Sequence, residues 1–84
     1  MLRLMLTRFQ ILAARAMLEM TRAELAAKVG LSVTGLGNIE TGLSDPKVST
    51  MEAIQIALEA SGVVFIPSDA MGPGVRLKKP LKRR

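Results

Sequence analysis

Cysteine and histidine are both absent from the 84-residue sequence. Without cysteine there is neither a disulfide framework nor a thiolate metal site to staple the fold. Without histidine, the usual general base near neutral pH and the commonest metal ligand are missing. The seven acidic residues are scattered and form no carboxylate-only metal loop. No nucleophile–base pair can be assembled from this set, so neither catalysis nor a cofactor is expected. Long apolar runs are missing too. The longest uncharged stretch, residues 29–39, covers eleven positions, well below the ~18 that a membrane span needs.

What is present is a small, apolar, unevenly charged chain. Hydrophobic residues make up 49%, enough for one core but not two. Ordering each residue costs roughly 1.5 kcal/mol, so that core must be efficient or shared with another chain. The net charge is +5. Six of the twelve basic residues (Arg76, Lys78, Lys79, Lys82, Arg83, Arg84) fall in the last nine positions. Residues 1–75 hold six basic and seven acidic side chains. The body is near neutral, and the excess sits in the tail. Such a tail suits a polyanionic partner, either nucleic acid or an acidic membrane surface.

Residues 1–18 contain Arg3, Arg8 and Arg15 but no acid, which is similar to a transit peptide or a membrane-surface helix. Arg8 splits any signal-type apolar core, however. Ile11, Ala14 and Leu18 continue a helical stripe, so a first core helix and a cytoplasmic protein are expected.

Helix starts are signalled by capping boxes, in which a hydroxyl at N-cap and a carboxylate three residues on satisfy each other's backbone N–H. Thr21, Arg22, Ala23, Glu24 form one, flanked by Met20 and Leu25 for a hydrophobic staple. Ser49, Thr50, Met51, Glu52 form a second, followed by Ala53, Ile54, Ala57 and Leu58 on one face, with Gly62 as the left-handed stop. Between them, helix two is expected from Arg22 to about Val29, ending at Gly30. A third is expected from an N-cap at Ser32 to about Thr41, closed by Gly42. Asp45 and Pro46 forbid helix in the following loop.

The chemistry then changes. Val63, Val64, Phe65 and Ile66 read as a strand ended by Pro67. After the turn residues Gly72, Pro73 and Gly74, the alternation Val75, Arg76, Leu77, Lys78 reads as its partner. An isolated hairpin is barely stable in water, and the first strand is apolar on both faces. Either a second copy of the chain covers Val63, Val64, Phe65, Ile66, Val75 and Leu77, making a homodimer, or the strand folds wholly onto the helices.

Ala26, Gly30, Leu36 and Ile39 complete the pattern. Two helices crossing at roughly 90–120° need a small residue at the close approach, a residue tolerant of positive φ in the turn, and branched apolar residues on the second helix's inner face. These residues supply all three. With this spacing in place, the chain resembles the XRE family, the lambda/434-repressor-like helix-turn-helix regulators. The likeness runs through Thr21, Arg22, Ala23, Glu24, Leu25, Ala26, then Ile39, Glu40, Thr41, Gly42, and on to the paired strands, covering about residues 8–79.

The resemblance implies a mainly α, four-to-five-helix lambda-repressor-like DNA-binding domain with a C-terminal β-hairpin. Residues 1–62 would form the helix-turn-helix domain, 63–79 the hairpin and dimerisation element, and 80–84 a basic tail. The third helix would enter the major groove, with Ser32, Val33, Thr34, Gly37 and Asn38 facing bases. Arg22 would contact a phosphate, where the family often has glutamine. Lys47 and Lys28 are further phosphate candidates, although Lys28 also suits a solvated helix end. Glu40 matches a family glutamate with a structural role. The implied protein is a nucleoid-associated homodimeric repressor on a palindromic operator.

The departures are specific. The third helix has no arginine, lysine or glutamine for bidentate base contacts. Gly35 and Gly37, each about 1 kcal/mol worse than alanine in a helix, either let its backbone approach DNA or distort it. A second reading therefore stands beside the regulator: a protein-interaction module, antitoxin-like or adaptor, with DNA contact secondary. The tail reads as a DNA arm, a solubility device or a contact for an acidic partner. No small-molecule ligand is expected in so small a core.

Overall fold

The computed structural model describes residues 6–80, in four helices and one two-stranded sheet. The helices are α1 (Arg8–Leu18), α2 (Arg22–Val29), α3 (Val33–Glu40) and α4 (Val48–Ser61). The strands β1 (Val63–Ile66) and β2 (Gly74–Leu77) pair antiparallel, with Val63 opposite Leu77 and Ile66 opposite Gly74. The tail beyond residue 80 and the arginine at position 3 lie outside the described residues.

Local chemistry explains the boundaries. The Thr21–Glu24 capping box forms in both directions, at 3.0 and 3.1 Å. Gly30 closes α2 at φ 83°, a conformation that costs an L side chain roughly 1–2 kcal/mol. Ser32 caps α3 by accepting the Gly35 N–H at 2.9 Å. Gly62 ends α4 at φ 118°. Despite its two glycines, α3 is a continuous helix.

Two expectations about caps need correction. The Ser49–Glu52 box does not form, because α4 starts earlier, at Val48, with Lys47 in the N-cap position and no side-chain cap. The carbonyl of Lys47 accepts the Met51 N–H at 3.1 Å, closing the first turn before Ser49 could cap it. A capping box does open α1 instead. Thr7 Oγ1 accepts the Gln10 N–H, and Gln10 Oε1 accepts the Thr7 N–H at 2.9 Å.

The core draws on every element. Ile11 and Ala14 of α1, Leu25 and Ala26 of α2, Leu36 and Ile39 of α3, and Ile54 and Leu58 of α4 are buried. Leu18, Met20 and Ala57 pack against them, whereas Ala53, expected on the inner face, is exposed. Val63 and Phe65 of β1 complete this core, so they face their own helices. That corrects their assignment to an intermolecular surface. Val75 and Leu77 are half-buried against the same core. Only Val64 and Ile66 among the six hairpin positions point outward. Buried Gln10 fastens the hairpin to α1, its Nε2 donating to the Gly74 carbonyl at 2.9 Å.

Candidate nucleic-acid interface

The bend between α2 and α3 is built from backbone hydrogen bonds around one small residue. The N–H groups of Gly30 and Leu31 both donate to the Ala26 carbonyl, each at 2.9 Å. Ala26 is fully packed, and Leu36 and Ile39 turn the inner face of α3 onto the core. The opposite side of α3 is left to solvent. Ser32, Val33 and Thr34 are exposed, and Asn38, one turn on, is half-buried.

Beneath that surface lies a charge cluster on one carboxylate. Glu40 is completely buried. Arg15 grips it through Nε–Oε2 at 2.6 Å and Nη2–Oε1 at 3.0 Å. Arg22 donates from Nε to Oε1 at 2.8 Å. Arg8 is the third arginine on this residue, donating from Nη1 to the Glu40 main-chain carbonyl at 3.2 Å. A cation there favours the C-terminal end of α3, which has no basic residue of its own in its last turn. Burial alone would raise the Glu40 carboxyl. The hydrogen bonds and positive charges of Arg15 and Arg22 outweigh it and hold the group below its ordinary value. The arginines that made the N-terminal stretch look like a targeting segment are therefore partly structural: Arg8 and Arg15 lock α1 to α3.

Arg22 does not simply project from the start of α2. Its side chain lies across α3, where a Cβ on Gly37 would stand 2.9 Å from Arg22 Nη1 and 3.3 Å from Cζ. Gly37 is thus buried under Arg22 and is not itself a base-facing position. Arg22, Val33, Thr34, Gly37 and Asn38 meet around a shallow hollow of about 310 Å³ that Thr41 and Leu43 also line. Those last two were not foreseen. Leu43 is 80% exposed, held by its N–H to the Asn38 carbonyl at 2.9 Å. Lys28, in the last turn of α2, and Lys47, at the N-cap of α4, are exposed and outside this hollow.

Two packed helices joined by a tight turn, the second offering an exposed row beside an arginine, form a helix-turn-helix unit of the kind found in DNA-binding regulators. The sequence profile of the helix-turn-helix family matches residues 11–64, and the chain belongs to that family, in its XRE-type branch. No curated protein matches the chain significantly. Among the described residues, no helix is long and apolar enough to cross a membrane.

Proposed function

We propose that this regulator is a sequence-specific repressor, acting as a homodimer on a palindromic operator. The observation that carries this reading is the row Ser32, Val33, Thr34 and Asn38 on the solvent side of α3, of which Val33, Thr34 and Asn38 share a hollow with Arg22. Asn38 suits an adenine edge, Thr34 donates or accepts, and Val33 packs on a thymine methyl. So few contacts per half-site favour two protomers, with the reading helices about 34 Å apart. The outward, apolar Val64 and Ile66 of β1 support a second copy as the cover of the hairpin. Lys28, Lys47, Lys78 and Lys79 are exposed and available to phosphates. Occupying an operator blocks polymerase access without further machinery, which favours repression and a nucleoid-associated location.

Duplex titration at several salt concentrations tests this. Sequence preference that survives high salt and is lost in Asn38→Ala or Thr34→Ala supports the regulator. Binding that depends only on the basic residues from position 78 onward, and fades uniformly with salt, supports the protein-interaction module instead.

A further inference from the structure

The recognition helix has no long donor side chain of its own, yet a guanidinium lies on it. Arg22 comes from α2, and its Nε is committed to buried Glu40 at 2.8 Å. An arginine carries five N–H donors, and no acceptor among the described residues takes those on Nη1 and Nη2. The side chain is 40% exposed and shares the hollow with Thr34 and Asn38. Position 37 is glycine, and a Cβ there would stand 2.9 Å from Nη1 at the flexible end of the side chain, so the guanidinium would have to shift from this place. Alanine is the better helix former, and Gly37 has no positive φ to demand glycine. The space for Arg22 is what the glycine provides.

We infer that Gly37 and Glu40 are positioning residues for Arg22, and that Arg22 supplies α3 with the guanidinium fork it lacks. The fork is held to take a paired acceptor on duplex DNA, either guanine N7 and O6 or two oxygens of one phosphate. This rests on the reading of the protein as a duplex-binding regulator. It makes position 37 a determinant of duplex affinity without contact to DNA, and of specificity where the acceptor is guanine.

The test uses the full chain and a duplex selected from a random pool. Gly37→Ala keeps the fold, shown by an unchanged or higher melting temperature. It should bind that duplex about tenfold more weakly, the scale of one bidentate contact. Arg22→Lys, which keeps charge but not the fork, should lose as much. In Arg22→Ala the further change Gly37→Ala should add nothing. Replacing guanines by 7-deazaguanine, or single phosphates by methylphosphonates, identifies the acceptor; one of the two must abolish the difference between wild type and Gly37→Ala. The inference is overturned if Gly37→Ala binds like wild type, if its loss adds in full to that of Arg22→Ala, or if neither replacement removes the difference. Should the wild-type chain select no duplex at all, the regulator reading fails first and this inference with it.

Discussion

The Nε of Arg22 donates a 2.8 Å hydrogen bond to Oε1 of Glu40, a carboxylate with no solvent exposure at the end of the recognition helix. Arg15 holds the other oxygen at 2.6 Å. One anion thereby ties α1 and α2 to α3, the helix on which the proposed reading surface lies.

Removing that anion leaves Arg15 without its partner, at only 17% side-chain exposure. Breaking a buried pair from one side costs about 3–5 kcal/mol, and a chain of this size has about 4–13 kcal/mol in total. Glu40→Ala should therefore be mostly unfolded or melt far below wild type. Urea unfolding followed by circular dichroism checks this. A loss under about 1 kcal/mol would show that the cluster is incidental.

Acid should weaken the fold through the same group. The Glu40 carboxyl is held below 4.5 in the native state, so its contribution is complete above that ordinary value. It is lost as the pH falls through the lower, native value. Glu24, lowered by its hydrogen bonds with the Thr21 backbone and side chain, acts in the same direction. Stability should be flat from neutral pH to about 5.5 and fall below about 4.5. In Glu40→Gln that fall should be shallower. An equal slope in both proteins would exclude Glu40 as its source.

The sequence and the structure agree where local chemistry decides. The Thr21–Glu24 box and the stop at Gly30 depend on neighbours a few residues apart, and both form as read. The box at Thr7 and Gln10 uses an amide in place of the carboxylate, a variant of the same signal. At Ser49 the motif was present, but a turn closed at Lys47 had already begun the helix. The Arg15–Glu40–Arg22 cluster joins positions up to 25 residues apart, and periodicity carries no trace of it. Gly37 was misread for the same reason. Its role is set by a side chain fifteen residues upstream in the sequence, which reaches it only after α2 and α3 cross.

The hairpin separates two kinds of residue. Phe65 is 6% exposed and belongs to the core, so Phe65→Asp should unfold the protomer. Val64 lies opposite Arg76, and Ile66 opposite Gly74, on the outer face. Val64→Glu with Ile66→Glu should keep the melting transition and, given the proposed dimer, halve the mass in sedimentation. A folded double variant of unchanged mass would remove the hairpin as the dimer contact.

The bend itself is sensitive at Ala26. Its side chain is 1% exposed, and its carbonyl receives two N–H groups from the turn. Ala26→Arg leaves no room for the helices to cross and should abolish cooperative unfolding. A soluble variant with a sharp transition would contradict this packing.

Selection of bound duplexes from a randomised pool probes the reading surface most directly. Wild-type protein should enrich a two-fold symmetric site with half-site centres about 34 Å apart. Asn38→Ala should relax the preference at a single position in each half. A pool that stays unenriched while the protein still binds DNA in a salt-sensitive way would show that α3 reads nothing.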